Sequence, residues 1–209
     1  MTGMATTRKS LHGAAELLLA GPQYRQSSTI RLRPMPGGFG TVAEPAARID
    51  GTDLVVGDVR VPLAGTYTEV ATAAGLTPVP LSDLYPGGPG ITPADTLAVD
   101  PASARIVADA LATGDVALRQ FAPAETPVLW PEHFDLGIAV DGVNYGVSPG
   151  DDLIAEPYAY VGPHQPRIGA FWNQPFGAAR PLYELPGPAQ LLAFYAEGRS
   201  RAADDPVAG

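Results

Sequence analysis

Asp141-Gly142 lies between two runs in which large apolar residues alternate with small or polar ones, and this segment constrains the fold of the chain more than any other. An Asp-Gly pair between two such runs is the strongest short-range signal for a hairpin with a two-residue turn. Because side chains alternate between the two faces of a strand, a turn at these positions fixes the register of every further pair. One face is then wholly apolar and is expected in the core, with pairs Val140–Val143, Ile138–Tyr145 and Leu136–Val147.

The opposite face of this predicted hairpin carries small and polar side chains. Glycines inside strands allow a ligand or another backbone to approach closely, so a glycine-lined trough is a candidate binding surface. If the alternation extends back to residue 133, an imidazole and a carboxylate on this face can form a proton-transferring pair. The pairs predicted here are Gly137–Gly146, Ala139–Asn144 and Asp135–Ser148, with His133 on the same side.

A further strand predicted at residues 154–161 would add one more acidic side chain and two tyrosines to this face. We therefore predict four catalytic candidates, namely His133, Asp135, Glu156 and Tyr158. In that scheme His133 is the acid or base, Asp135 orients it, and Glu156 or Tyr158 is a second proton donor. The predicted ligand-binding residues are Trp130, Gly137, Asn144, Gly146, Ser148, Tyr160 and Trp172, with His164 as a rim residue.

These residues also have purely structural explanations. A histidine at a strand start is often solvated or capping, and Glu156 before Pro157 fits an exposed edge position. Asp135 could cap a loop or pair with an arginine such as Arg180. The aromatic residues could belong to the core, and the glycine pair could accommodate a crossing helix.

The rest of the chain predicts a single α+β domain over residues 1–198, with a frayed tail at residues 199–209. Its architecture is two antiparallel β-meanders forming a curved sheet or sandwich, with about four helices packed against it. The N-terminal half, residues 1–99, has a first helix capped by Ser10 and stopped by Gly21-Pro22, then short strands between residues 30 and 63. Thr66 and Glu69 form a capping box that opens the next helix.

The second half, residues 100–198, opens with Asp100-Pro101, an N-cap followed by proline at the first helical position. This helix is expected to bury Ile106, Val107 and Leu111, and Gly114 marks either a break or a close packing contact. Strands are predicted at residues 134–140, 143–148, 154–161 and 168–172, followed by a helix at residues 188–198. Before this half, residues 77–99 are rich in proline and form either a lid or a strap, of which the strap is favoured.

Composition excludes several classes of function. The chain has no cysteine, which removes disulfides, zinc–thiolate sites and cysteine nucleophiles. Its net charge of −9 argues against a nucleic-acid or membrane partner, since both need a basic surface. No motif for a phosphate loop, a serine nucleophile elbow or a zinc protease occurs, and we predict no cofactor and no metal. The expected location is cytoplasmic.

A family pattern is visible in the second half. The run Leu129-Trp130-Pro131-Glu132-His133-Phe134-Asp135-Leu136 resembles a signature of the bacterial domain-of-unknown-function family 5996. The likeness continues through Asn144-Tyr145-Gly146-Val147-Ser148-Pro149-Gly150-Asp151 and Glu156-Pro157-Tyr158-Ala159-Tyr160-Val161, and is specific over residues 126–198. It implies that His133, Asp135, Glu156 and Tyr158 belong to a shared scaffold, but the family supplies no established activity.

Two functional hypotheses follow. The leading one is a protein that binds a small molecule in an apolar pocket with a few polar groups, with the acid–base chemistry of a hydrolase, isomerase or cyclase as one form of it. The alternative is a non-catalytic interaction or accessory module that uses the proline-rich segment 77–99 as its contact surface.

Overall fold

Antiparallel strands and separate helices make up the computed structural model, which describes residues 3–208, and the predicted α+β class is confirmed. The chain forms two compact units. The first comprises residues 3–112 together with Leu129–Phe134, and the second comprises Thr113–Val128 together with residues 135–208. The predicted halves at 1–99 and 100–198 differ from these units, because the boundary falls inside a helix.

The first unit contains a meander of strands in the order β8-β1-β2-β3-β4-β5, all antiparallel where their register is defined. A separate two-stranded sheet pairs β6 with β7. The strands are β1 (Leu32–Met35), β2 (Gly38–Thr41), β3 (Ala47–Asp50), β4 (Asp53–Val56), β5 (Val59–Pro62), β6 (Ala64–Thr66), β7 (Thr96–Ala98) and β8 (Val128–Trp130).

The N-terminal helix is longer than predicted. α1 (Met4–Ala14), a π-helical segment (Ala15–Ala20) and α2 (Gly21–Ser27) follow one another without a break. The prediction that Ser10 caps the helix and Gly21-Pro22 ends it is therefore wrong. A proline has no N–H to donate to the carbonyl four residues back, and its ring clashes with that carbonyl in an α-helix. The π-helical segment before Pro22 has wider turns, in which the hydrogen bonds span five residues instead of four.

The proline-rich segment 77–99 is tied to this helix. Val79 donates a backbone hydrogen bond of 3.0 Å to the carbonyl oxygen of Leu17 in the π-helical segment. Leu81 and Tyr85 are buried, so the segment contributes apolar side chains to the first unit's own core. These contacts favour the strap over the lid, and they leave fewer apolar side chains of the segment for a partner protein.

Two predicted helix starts are confirmed in atomic detail. Thr66 accepts a hydrogen bond from the Glu69 backbone and the Glu69 side chain accepts one from Thr66, which completes the capping box of α3 (Tyr67–Ala73). Asp100 accepts a 2.8 Å hydrogen bond from the Ser103 backbone at the start of α4 (Pro101–Phe121). Ile106 was predicted to be buried on α4 and is instead 49% exposed.

The second unit is built on four antiparallel strands in the order β12-β11-β10-β9. The predicted hairpin register is confirmed, with Val143 opposite Val140 and Gly146 opposite Gly137. Positive φ angles at Asp141 (53°) and Gly142 (74°) are those that a two-residue type I′ turn requires. The strands are β9 (Asp135–Val140), β10 (Val143–Ser148), β11 (Tyr158–Pro163) and β12 (Ala178–Pro181).

Helices cover the apolar face of these strands. Gly114 of α4 lies so close to Val147 that a Cβ atom at position 114 would be 2.8 Å from its Cγ2. Gly198 of α5 (Pro188–Asp204) approaches Val161 in the same way, at 2.7 Å. Of the two roles predicted for Gly114, the close packing contact is therefore the one observed.

Two predictions at the C-terminal end are wrong. Residues 168–172 form bends and turns instead of a strand, and β12 takes the edge position next to β11. Residues 199–204 are helical instead of frayed, and Ile168 donates a 2.9 Å backbone hydrogen bond to the Pro206 carbonyl oxygen. Gly198, where we had expected α5 to end, lies inside the helix and packs against Val161.

Candidate functional site

The predicted trough over Gly137 and Gly146 is filled by the ring of Tyr160. Tyr160 pairs with Gly146 across β10 and β11, which puts it on the face that parity predicted. A Cβ atom at Gly146 would lie 2.4 Å from Cζ of this tyrosine, and one at Gly137 would lie 2.7 Å from its hydroxyl oxygen. The glycines therefore make room for an aromatic ring of the same sheet, and the trough is not open to a ligand.

A hydrogen-bonded network of carboxylates and phenols runs along this face. The Tyr160 hydroxyl donates to Oδ2 of Asp135, and burial together with the neighbouring carboxylate raises the pKa of Tyr160 well above its ordinary value. The Tyr158 hydroxyl donates to Oδ2 of Asp151 at 2.6 Å, and burial likewise raises the pKa of Tyr158. Both phenols remain protonated at neutral pH and act as donors. Ser148 is buried, and its Oγ accepts a 3.1 Å hydrogen bond from the backbone of Gly150.

Replacing Tyr160 by phenylalanine is expected to lower the free energy of unfolding by about 1.5–3 kcal/mol, the usual effect of losing a hydrogen bond to a charged group. The ring that fills the trough is retained, so the loss reports the hydroxyl alone. Urea denaturation measures it. Tyr183→Phe is the matched control, because Tyr183 is 73% exposed and the change should have little effect. Equal stability of Tyr160→Phe and the wild type would contradict a stabilising role for this bond.

Two of the four predicted catalytic residues are not on the strands that were to carry them. His133 precedes β9, and Phe134 has a φ of 54°, so alternation cannot be extended back from Asp135. The His133 side chain is exposed, with Nε2 3.8 Å from Oε1 of Glu132. Glu156 is exposed in the loop before β11, which begins only at Tyr158. The placement of both residues by parity is therefore wrong.

The late start of β11 has a local cause. The Asp151 side chain accepts 2.8 Å hydrogen bonds from the backbone nitrogens of Leu153 and Ile154, which fold this stretch into a turn. The proposed pairing of Asp135 with Arg180 is also not observed. Arg180 lies 3.6 Å from Glu197 of α5 and stacks over Phe194.

The two tryptophans and Asn144 have partners within their own units. In the first unit, Trp130 of β8 is half-buried under the guanidinium of Arg31, 5.9 Å from the ring centre. In the second unit, the indole nitrogen of Trp172 donates a 2.9 Å hydrogen bond to Asp205. Asn144 is exposed, and its Oδ1 lies 3.1 Å from Nε2 of His164.

A cleft of about 410 Å³ opens at the turn end of the hairpin, between the β9–β10 turn, the start of the loop after β11 and the last turns of α5. We call it the hairpin cleft. Sequence reasoning did not find it, apart from His164 as a rim residue. Its polar lining residues are Asp141, Tyr145, His164, Gln165, Arg167 and Arg199, and its apolar ones are Val143, Pro163, Ala202 and Ala203, with Gly142 at the turn.

Two buried donors of the hairpin cleft have no hydrogen-bond partner among residues 3–208. They are the hydroxyl of Tyr145 and Nε of Arg167. Such groups are rare in folded proteins, because an unpaired buried polar group costs free energy. The other end of the Arg167 guanidinium donates through Nη1 to the carbonyl oxygen of Asp205 at 3.2 Å. Two residues that line the cleft therefore each hold one buried donor whose hydrogen-bonding capacity is unused.

Burial and two charged lining residues set the protonation state of Tyr145. Burial raises the pKa of Tyr145 to about 12, the positive charge of Arg199 opposes this rise, and the carboxylate of Asp141 adds to it. The hydroxyl is therefore a protonated donor at neutral pH. Arg199 pairs with Asp141 at 2.5 Å and lies over the Phe121 ring, which packs 4.6 Å from the ring of Tyr145.

The first unit holds a second group of polar residues that sequence reasoning missed. Glu16 in the π-helical segment is 5% exposed, and its carboxylate accepts a 2.9 Å hydrogen bond from the Tyr85 hydroxyl. One turn earlier, Nε2 of His12 lies 2.7 Å from the carbonyl oxygen of Pro131, and its ring stacks on Phe134. Burial lowers the pKa of His12 to about 4. These contacts join distant segments of the chain and account for the polar residues as structural ones.

Within residues 3–208, no three histidine, aspartate or glutamate side chains are grouped so that they could hold a metal ion. None of the described helices is both long and apolar enough to cross a lipid bilayer. No family model, curated protein or solved structure matches the chain significantly.

Proposed function

We propose that the protein binds a small organic molecule and that the hairpin cleft is its binding site. One observation carries this proposal: Tyr145 and Arg167, each with a buried donor that has no partner among residues 3–208, line a cleft that also carries the exposed guanidinium of Arg199. The volume of about 410 Å³ falls within the range of about 300–1,000 Å³ that is usual for ligand pockets.

The composition of the lining supports the same proposal. Ligand pockets combine apolar walls with a few polar groups that fix orientation. In the hairpin cleft, Val143, Pro163 and Ala202 supply apolar surface, while Tyr145 and Arg167 supply donors. The rival surface over Gly137 and Gly146 lacks the space, because the ring of Tyr160 occupies it.

Catalysis by His133, Asp135, Glu156 and Tyr158 stays a prediction, and so does the shared scaffold implied by the resemblance to family 5996. The proposed function is therefore binding, and it requires no reaction.

A cleft-filling substitution tests the proposal. Ala203 is exposed and lines the hairpin cleft, so Ala203→Trp is expected to fill the space without disturbing the core. Saturation-transfer NMR with the full chain and a library of small organic compounds, half of them anionic and half neutral, should give hits that Ala203→Trp abolishes. Ala196→Trp is the matched control, because Ala196 is also exposed on α5 but does not line the cleft.

The control should bind the same compounds as the wild type, and circular dichroism should show that both variants are folded. A library screen in which no hit is lost specifically in Ala203→Trp would contradict the proposed function.

A further inference from the structure

We infer that the hairpin cleft takes an organic anion, a carboxylate or a phosphate monoester, whose charged group displaces Asp141 from Arg199. This inference rests on the proposed function and adds the chemical class of the ligand and a competing group within the chain.

The lining of the hairpin cleft carries an excess of positive charge. Leaving His164 aside, the hairpin cleft carries Arg167 and Arg199 against Asp141 alone. The whole chain has the opposite balance, with 22 acidic and 13 basic residues. A cleft whose lining has an excess of one charge attracts ligands of the opposite charge. A local positive excess in an acidic protein therefore favours an anionic ligand.

Two residues of the lining hold buried donors without a hydrogen-bond partner among residues 3–208. The Tyr145 hydroxyl and Nε of Arg167 are both donors, and an oxyanion offers several lone pairs to accept from them. Hydrogen bonds in which one partner is charged are shorter and stronger than neutral ones. A carboxylate or phosphate group supplies the acceptors that these donors lack, whereas a ligand that offers mainly donors does not.

The existing counter-ion of Arg199 is easily replaced. Arg199 and Asp141 are 2.5 Å apart, but their side chains are 52% and 66% exposed. Exposed ion pairs contribute little to stability because water and salt screen them. Arg199 can therefore exchange Asp141 for a ligand oxyanion at small cost, and Asp141 acts as an internal competitor for the same guanidinium.

The apolar side of the lining defines the rest of the ligand. Val143, Pro163, Ala202 and Ala203 give the anion an apolar body to pack against, which an inorganic ion lacks. Benzoate and phenyl phosphate are suitable probes, and benzamide is the neutral molecule of similar shape. Comparison of the first two probes distinguishes a carboxylate ligand from a phosphate ligand.

Asp141→Asn is the decisive variant. Asn-Gly is as favourable as Asp-Gly in a type I′ turn, so the turn is retained while the negative charge is lost. In amide NMR titrations of the full chain at constant ionic strength, we expect benzoate or phenyl phosphate to bind with a Kd of about 1 mM and to shift the Gly142 resonance. Asp141→Asn should tighten this binding about three- to fivefold.

Further variants complete the test. Arg199→Gln should weaken binding of the anions at least about tenfold, and benzamide should bind the wild type at least about fivefold more weakly than they do. Arg105→Gln is the control for the same loss of charge, because Arg105 lies on the exposed surface of α4 beside Asp109 and outside the cleft. It should leave anion binding unchanged.

The inference is overturned if benzamide binds as tightly as the anions, if Asp141→Asn leaves anion binding unchanged or weakens it, or if Arg105→Gln has the effect of Arg199→Gln. Failure of both anionic probes to bind also overturns it. Library hits that Ala203→Trp abolishes but that are neutral would leave the proposed function standing and refute the anionic ligand. An absence of such hits would refute both.

Discussion

Gly146→Ala should destabilise the protein by about 3 kcal/mol or more. A Cβ atom at this position would lie 2.4 Å from the carbonyl oxygen of Leu136 and 2.4 Å from Cζ of Tyr160. Overpacking of a well-packed interior typically costs about 1–3 kcal/mol, and this site belongs at the upper end because one of the two clashes is with backbone. Chemical denaturation gives the free energy of unfolding of the variant and the wild type.

Gly137→Ala is the matched comparison. Its Cβ atom would meet the hydroxyl of Tyr160 at 2.7 Å and the carbonyl oxygen of Tyr145 at 3.3 Å, so its backbone contact is much less severe. A smaller loss is expected there than at Gly146. If Gly146→Ala were as stable as the wild type, the ring of Tyr160 could not lie over the hairpin as described, and an open trough would again be a candidate site.

The second large effect is a loss of stability on mild acidification. His12 has a pKa of about 4 in the folded protein, against 6.5 without these surroundings, chiefly because burial disfavours its charged form. The nearby His133 and Arg8 lower it further, while hydrogen bonding to the Pro131 backbone opposes the shift. Below pH 6.5 the unfolded chain therefore takes up a proton at this position that the folded chain does not.

The sign of the effect follows from that difference. Since the unfolded state binds more protons between pH 6.5 and 4, the free energy of unfolding falls as the pH falls through this window. The expected loss is about 2 kcal/mol by pH 5 and about 3 kcal/mol by pH 4. Urea denaturation at half-unit pH steps measures it. His12→Gln keeps a donor for the Pro131 carbonyl but does not titrate. The free energy of unfolding of this variant should therefore change less between pH 6.5 and 5 than that of the wild type. An identical slope in both proteins would show that His12 does not cause it.

Local rules predicted the local structure well. The turn at Asp141-Gly142, the capping box of Thr66 and Glu69, and the N-cap at Asp100 are each decided by a few neighbouring residues, and all three are observed. The parity argument also put Tyr158 and Tyr160 on the face of the hairpin that carries Ser148 and Gly146, and the structure pairs them with these two residues. It failed at His133 and Glu156, because alternation holds only where the chain is extended.

The candidate site was harder to predict because its residues come from distant parts of the chain. Tyr145 fitted the core face of the hairpin, and its burial confirms that reading, but Tyr145 also lines a cleft completed by Arg167 and Arg199. Those arginines lie in a loop and on a helix whose positions no spacing rule gives. The π-helical segment escaped prediction for a similar reason, since Val79 supports it from a segment far along the sequence.

The sequence by itself therefore determined the α+β class, the register of the central hairpin and the starts of α3 and α4, because each depends on side-chain alternation or on hydrogen bonds within about four residues. Only the tertiary structure decided what occupies the trough over Gly137 and Gly146 and where a ligand could bind. Both depend on which side chains fill a given volume and which donors remain unpaired, and these are properties of close packing between segments far apart in the chain.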